Sequence, residues 1–282
     1  MGSVNQNLAC FARGKDGELL ISNAVDAGGP ERIFLLPMRK AVVDDGHLRM
    51  AYWENNERMK GGEIELNDPC VSLLCASERS GDNWAGAKLE AGKNSFTMKT
   101  EGTKGPFTLE DLYMVAVIRT FETEAIPDAA KQGIVIDCDA TVTANPHTSR
   151  EDGFPNSSRW PSLGFYVEES DGALAFTLEA GTAYRRRSYV EKIVLTGNAE
   201  NPVNRAVVDE TGEGCASQRG IDANRPIRLK LFVFDNVIEL YADGMFVQTF
   251  VNLAPPTGRI GFIAKNACAK VENLKIFKTN LN

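Results

Sequence analysis

The sequence predicts an all-β protein built as an antiparallel two-sheet β-sandwich. Short runs rich in β-branched and aromatic residues recur every ten to twenty residues along the 282-residue chain. Clusters of Gly, Pro, Asn and Asp separate these runs, as expected for strands joined by turns. Helical signals are scarce, and no segment of about 40 residues repeats itself, which argues against a propeller.

The most regular strand pattern lies near the end of the chain. Asp235-Asn236 and Asp243-Gly244 separate apolar runs there and predict hairpin turns. The strands predicted for this closing antiparallel meander are 227–234, 237–242, 245–251, 259–264 and 269–277. Because the preceding strands are also short and evenly spaced, we expect a concanavalin A-like or jelly-roll arrangement.

The rest of the chain shows the same spacing of short strands and turns. Lys15-Asp16-Gly17 and Asp44-Asp45-Gly46 predict two early hairpins. Further strands are predicted at 70–76, 84–89, 95–99, 112–122, 133–142, 162–168, 173–179, 191–196 and 205–209. The segment 143–161 is rich in Pro, Ser and Asn and predicts a long loop.

A change of composition near Pro37 predicts a domain boundary. Residues 1–39 are too few to bury a core of their own. We therefore expect them to form an N-terminal strand segment, the remnant of a preceding domain. The β-sandwich domain is expected to span residues 40–282.

Composition excludes several classes of partner. With 31 basic and 38 acidic residues the net charge is -7, so nucleic acid is not expected as a partner. No apolar run approaches the roughly 20 residues that span a bilayer, and the first residues do not resemble a signal peptide, so no membrane contact is expected. These observations leave the localisation undetermined.

Metal-binding patterns are missing from the sequence. The six cysteines are scattered, and Cys70 and Cys75, the nearest pair, have four residues between them and no second pair. We expect these two to be small buried residues of a strand. The two histidines, His47 and His147, are too few for a histidine-rich site. The sequence predicts no cofactor and leaves a structural calcium ion open.

Two distant segments resemble one known family. The first runs from Leu36 to Lys40 (LPMRK) and continues into Asp45-Gly46; the second is the run from Val237 to Gly244 (VIELYADG). They resemble the junction between propeller and sandwich, and the last hairpin, of glycoside hydrolase family 32, which includes invertases, inulinases and levanases. Met38-Arg39-Lys40 stands where that family commonly has Arg-Glu-Leu, and residues 143–223 form a longer region than is usual there.

The resemblance implies a divergent C-terminal sandwich module without its catalytic propeller. Asn67-Asp68-Pro69 matches only three residues of the family's nucleophile motif, and the chain contains neither an Arg-Asp-Pro nor a Glu-Cys sequence. Five propeller blades of about 40 residues each would need about 200 residues before the junction. We therefore expect a non-catalytic module whose partner is a catalytic propeller domain and whose ligand is a carbohydrate.

Two alternatives stay open. One is a stand-alone glycosidase or lyase on a lectin-like sandwich, with Glu239 and Asp139 as test positions. Retaining glycosidases need two carboxylates about 5 Å apart, and no Glu-x-Asp-x-x-Glu run that would place them on one strand face is present. For Glu239 we expect a sheet-surface role. The other alternative is a structural or partner-binding sandwich without affinity for sugars.

Tryptophans with polar neighbours are the best sequence signal for sugar contact, because a sugar ring stacks on an aromatic face while polar groups bind its hydroxyls. Trp160 lies in the long predicted loop, and we expect it to be the stacking platform. The full set of predicted carbohydrate-binding residues is Trp160, Arg159, Asn156, His147, Trp84 and Trp53.

Overall fold

The computed structural model confirms the all-β sandwich. The described residues are 5–26, 33–66, 70–75, 87–92, 94–100, 116–121, 133–144, 161–169, 172–181, 188–196, 205–209, 221–234, 237–251, 260–265 and 267–280. Within these ranges, no helix has both the length and the apolar character needed to cross a membrane.

Strands make up almost all of the regular structure. The first eleven are β1 Asn5–Arg13, β2 Leu19–Asp26, β3 Ile33–Leu35, β4 Arg39–Asp44, β5 His47–Tyr52, β6 Lys60–Ile64, β7 Cys70–Cys75, β8 Ala87–Ala91, β9 Phe96–Thr100, β10 Ala116–Phe121 and β11 Ile134–Ala144. The others are β12 Ser162–Glu169, β13 Gly172–Gly181, β14 Ser188–Thr196, β15 Arg205–Asp209, β16 Ile221–Asp222, β17 Ile227–Phe234, β18 Val237–Ala242, β19 Met245–Val251, β20 Ile260–Lys265 and β21 Ala267–Thr279. A 3₁₀ helix, Glu54–Met59, lies between β5 and β6.

The strands form two sheets. The larger sheet has the order β1-β2-β4-β5-β19-β18-β17-β11-β21-β9-β8, with β3 added beside β2 and β6 beside β21. The smaller sheet has the order β15-β14-β13-β12-β20-β10-β7, with β16 beside β13. The described pairings are antiparallel except for that of β13 with β16, which is parallel.

The hydrophobic core lies between the two sheets. Phe96 of β9 contacts Phe262 of β20 with ring centroids 5.3 Å apart, and Phe250 of β19 contacts Phe176 of β13 at 6.0 Å. Both contacts join one sheet to the other. Each buried aromatic or aliphatic side chain of this kind contributes roughly 1.5–3 kcal/mol through removal of apolar surface from water.

The hairpins predicted from Asp-Gly pairs are confirmed. At Asp45-Gly46 the φ angles are 49° and 73°, and Asp243-Gly244 has the same pair of values. Two consecutive residues with positive φ match the twist of the flanking strands, which explains why Asp and Gly occupy these positions. The two turns join β4 to β5 and β18 to β19.

Two predictions of detail were wrong. The closing strands do not form one meander, because β20 lies in the smaller sheet between β12 and β10. Thr143 belongs to β11 rather than to a loop, since it pairs with Cys268. A local pattern predicts a strand, but the partner depends on distant residues.

The strands of the N-terminal region are part of the larger sheet. β2 pairs with β4 through Leu20 and Ile21, opposite Lys40 and Arg39. Residues 5–26 and 33–35 therefore extend the sheet that also carries the closing hairpins. The domain boundary at residue 39 stays a prediction.

Candidate functional site

One of the predicted sugar contacts, Trp53, lies in the described part of the chain. It immediately precedes the 3₁₀ helix, and its backbone carbonyl accepts a hydrogen bond from the backbone N–H of Asn56 at 2.9 Å. Its side chain is half-buried. The other predicted contacts lie outside the described residues: Trp160, Arg159, Asn156, His147 and Trp84.

The side chain of Asn56, a polar neighbour of Trp53, makes a structural hydrogen bond. Its side-chain amide donates a hydrogen bond to the carbonyl of Met38 at 2.8 Å, and the residue is buried. The amide therefore fixes the 3₁₀ helix to the chain just before β4. Because the amide is used in this hydrogen bond, it does not form a sugar-binding group beside Trp53.

Aromatic side chains cover the outer face of the larger sheet next to Trp53. In β17, Leu231 and Val233 point into the core, so the intervening Phe232 points outward. Tyr52 stacks on Phe232 with centroids 5.7 Å apart and meets Tyr241 edge-on at 5.2 Å. These residues form a second, smaller apolar cluster on this face.

Four charged residues form a closed ring beside these aromatics. Lys60 Nζ contacts Glu57 Oε2 at 2.6 Å and also donates to Asp137 Oδ2. Lys230 Nζ donates to Glu57 Oε1 and lies 3.6 Å from Asp137 Oδ1. Positive and negative charges thus alternate around the ring. The Lys230 ammonium also lies 3.8 Å from the centre of the Tyr52 ring, a cation–π contact.

Burial and the contacts within the ring shift the pKa values of Glu57, Lys60 and Lys230. Burial alone would raise the pKa of Glu57, but hydrogen bonds from Lys230 and Lys60 outweigh it and lower the pKa to about 2. Burial opposes the charge of Lys60, yet the hydrogen bonds to Asp137 and Glu57 raise its pKa. For Lys230 burial prevails and lowers the pKa. Burial and the neighbouring Glu57 raise the pKa of Tyr52, so its phenol stays neutral.

Asp139 lies next to this ring on the same strand face as Asp137. Its carboxylate accepts a hydrogen bond from Asn273 Nδ2 at 2.8 Å and lies 3.9 Å from Arg228 Nη1. Arg228 also approaches Asp137 at 3.9 Å. Every carboxylate of this cluster therefore faces a cation.

Metal ligation has no support within the ranges described for the structure. No group of three or more His, Cys, Asp or Glu side chains lies close enough there to hold an ion. Cys138 is buried in the core, where burial raises the pKa of its thiol, and Cys10 is exposed on β1.

The second charged site is a buried ion pair between the two segments on which the family resemblance rests. Arg39 Nη2 lies 2.5 Å from Glu239 Oε2, and Nε donates to Oε1 at 3.2 Å, so the pair is bidentate. Thr249 Oγ1 accepts from Arg39 Nη2 at 2.8 Å. Tyr241 donates its hydroxyl hydrogen to Glu239. The Arg39 guanidinium also lies 4.0 Å from the centre of the Phe246 ring.

This network removes Glu239 from the list of candidate catalysts. The side chains of Arg39 and Glu239 are both 0% exposed, so the predicted sheet-surface role of Glu239 was wrong. Glu239 does point to the outer face of the sheet, but its partners Arg39, Thr249 and Tyr241 enclose it. Burial by itself would lower the pKa of Arg39, and the charge of Glu239 reverses this and raises it.

Sequence reasoning missed Lys60, Asp137 and Lys230 because the contacts that bring the three together join positions distant in the chain, such as Lys60 with Asp137 and Lys230 with Glu57. A signal for two of them was present: Asp137 and Lys230 alternate with core residues in β11 and β17. A charged residue in that position must lie on the opposite face of the sheet. The pattern does not indicate which residues meet there.

Comparison with known proteins identified structural likenesses but no family. No family model matches the chain, and no curated protein matches it. A sucrose-6-phosphate hydrolase from Lactobacillus gasseri is 11% identical, with a TM-score of 0.46, over 96% of this chain and 40% of that one. A glycoside hydrolase family 32 protein from Bifidobacterium adolescentis is 10% identical, with a TM-score of 0.43, over 98% and 31%.

A carbohydrate-binding module, CBM66 from Bacillus subtilis, is 10% identical to this chain. The alignment has a TM-score of 0.41 and covers 68% of this chain and 92% of that one. The chain spans less than half the length of the two hydrolases. At these identities and TM-scores the likenesses do not bear on function.

Proposed function

We propose that the chain is a non-catalytic β-sandwich module, of the concanavalin A-like or jelly-roll type and related to glycoside hydrolase family 32. In this role it packs against a catalytic propeller domain and holds a carbohydrate. The Arg39–Glu239 pair is the observation that carries the proposal. It joins residues 36–40 to residues 237–244, the two segments that resemble the family, by a buried contact between positions 200 apart in sequence.

Charge neutralisation supports the non-catalytic part of the proposal. A glycosidase needs one carboxylate that can give up a proton and a second that stays ionised near the sugar. Glu239 is enclosed by Arg39, Thr249 and Tyr241. Asp139 is held by Arg228 and Asn273.

Exposed apolar side chains support packing against another domain. Among the side chains whose burial is described, the exposed large hydrophobic residues lie in β1 to β5: Phe11, Leu19, Leu35, Val43 and Leu48. Val43 and Leu48 face each other across the β4–β5 hairpin and are 76% and 70% exposed. Apolar surface of this kind is typical of a contact with another protein surface.

The carbohydrate contact is proposed at the aromatic and polar residues predicted from the sequence, with Trp160 as the stacking residue and Arg159, Asn156, His147, Trp84 and Trp53 as further contacts. The charged ring and its aromatic neighbours lie next to Trp53. Their alternating charges offer both donors and acceptors, as sugar hydroxyls require.

The proposal is tested by assaying the purified chain on sucrose, inulin and levan and by titrating it calorimetrically with their oligosaccharides. We expect no turnover and saturable binding. Sustained hydrolysis by this chain would favour the stand-alone enzyme instead. Absence of both turnover and binding, together with a stable complex with another protein, would favour a partner-binding sandwich.

A further inference from the structure

A pocket of about 370 Å³ opens beside β21 in the larger sheet. Its lining residues are Glu63, Ile64, Glu65, Leu66, Asn94, Leu274 and Lys275. The volume lies at the small end of the range for ligand pockets, about 300–1,000 Å³.

An interruption in strand pairing creates this pocket. One edge of β21 is occupied by β11, and β9 and β6 share the other edge. β9 pairs with Cys268 to Val271, whereas β6 pairs from Ile276 onward. Residues 272–275 lie between the two, and a hydrogen bond from Leu274 N to Asn94 O at 3.0 Å closes the gap on one side.

A bulge in β21 shapes the gap. Asp137 pairs with Lys275 and Asp139 pairs with Glu272, so β21 contains one extra residue at this point. Asn273 has a φ of 52°, a left-handed conformation that Asn tolerates better than most residues. The bulge separates β6 from β9 without breaking the pairing of β21 with β11.

The lining combines an apolar floor with a polar rim. Ile64, Leu66 and Leu274 are buried and belong to the core. Glu63, Glu65, Asn94 and Lys275 are exposed at the opening. Two carboxylates can accept hydrogen bonds from hydroxyl groups, and the lysine and the amide can donate them.

We propose that this pocket binds one neutral sugar ring at the end of an oligosaccharide, as a subsite in addition to the contact proposed at Trp160. The inference rests on the proposed carbohydrate-binding function. The carboxylates of Glu63 and Glu65 would repel an acidic sugar, and the ammonium group of Lys275 would repel a bare metal cation. A neutral ring with hydroxyls on its rim and C–H groups toward Leu274 matches both the charge and the apolar floor.

Methyl NMR of Leu66 and Leu274 tests the subsite, because both residues line the pocket. Calorimetry with fructose, sucrose, inulin and levan oligosaccharides is recorded in parallel. We expect saturable methyl shifts in the wild type. The double variant Glu63→Gln/Lys275→Ala should weaken the binding seen at these methyls about tenfold or more. The matched controls Glu90→Gln and Lys278→Ala, exposed positions outside the pocket, should stay within about twofold.

The outcomes separate the subsite from the general function. Two results would overturn the pocket as a sugar subsite and leave the proposed function intact. One is calorimetric binding without methyl shifts at Leu66 and Leu274. The other is methyl shifts that the double variant does not alter. Absence of binding by any of the sugars would overturn both. Shifts that appear with calcium chloride and not with sugars would identify a cation site and overturn the pocket as a sugar subsite.

Discussion

Arg39 and Glu239 form a bidentate ion pair at 2.5 Å with no solvent exposure, although 200 positions separate them in sequence. Arg39 begins β4 and Glu239 lies in the middle of β18. The pair therefore ties the β4–β5 hairpin to β18. Burying two charges costs several kcal/mol unless they are paired and their remaining hydrogen-bonding positions are filled, and Thr249 and Tyr241 fill them here.

Glu239→Gln is expected to destabilise the protein by about 3–5 kcal/mol, because it leaves the Arg39 charge buried without its partner. Equilibrium unfolding in urea measures the change. Glu54→Gln is the control: Glu54 pairs with Lys40 at 2.5 Å but is 71% exposed, so its loss should cost less than about 1 kcal/mol. Equal effects of the two substitutions would contradict the assigned role of the buried pair.

Arg39→Met combined with Glu239→Leu should recover most of the stability lost in the single variant. Replacement of a whole buried ion pair by apolar residues is often neutral, since no charge remains to be desolvated. A double-mutant cycle that includes the single variants Arg39→Met and Glu239→Leu gives the coupling from the unfolding free energies. Loss of more stability in the double variant than in Glu239→Gln would show that the hydrogen bonds of Thr249 and Tyr241 matter more than the charge pair.

The sequence alone predicts those elements that depend only on residues close together in the chain. Asp243-Gly244 predicts its hairpin because two successive positive φ angles suit that dipeptide. The alternation of Leu229, Leu231 and Val233 likewise predicts which face of β17 is buried. The burial of Glu239 and the position of β20 depend on residues far along the chain. The Lys60–Asp137 contact spans 77 positions, and no local pattern specifies such a pair.

Glu57 gives the stability a defined pH dependence. Its pKa in the folded protein is about 2, below the roughly 4.3 of an unperturbed glutamate. The stabilisation is therefore fully present above the unfolded pKa and is lost as the pH falls from about 4.3 toward 2. Unfolding free energies across this window should fall less steeply in Glu57→Gln than in the wild type. Equal slopes in the variant and the wild type would show that Lys60 and Lys230 do not lower the pKa of Glu57 in solution. Because Glu57 is 46% exposed, the difference should also shrink in high salt.

Gly164→Ala is expected to destabilise the smaller sheet by about 1–3 kcal/mol through overpacking. A Cβ at this position would lie 2.7 Å from the backbone oxygen of Phe176 on the neighbouring strand. Gly62→Ala is the control, since a Cβ there meets nothing within 4 Å and should change stability by less than about 0.5 kcal/mol. Thermal unfolding of both variants distinguishes steric overlap from a general intolerance of alanine in strands. A stable Gly164→Ala variant would contradict the close approach of β12 and β13.

Trp160→Ala tests the stacking residue predicted from the sequence. A sugar ring loses its aromatic platform in this variant, so binding of levan and inulin oligosaccharides should weaken about tenfold or more. The melting temperature should stay unchanged if the indole faces a ligand rather than the core. Trp53→Ala is the comparison, because Trp53 is half-buried at the start of the 3₁₀ helix and should affect stability as well as binding. A loss of about 3–5 kcal/mol in Trp160→Ala, the scale of emptied aromatic core positions, would make Trp160 a packing residue and remove it from the proposed carbohydrate site.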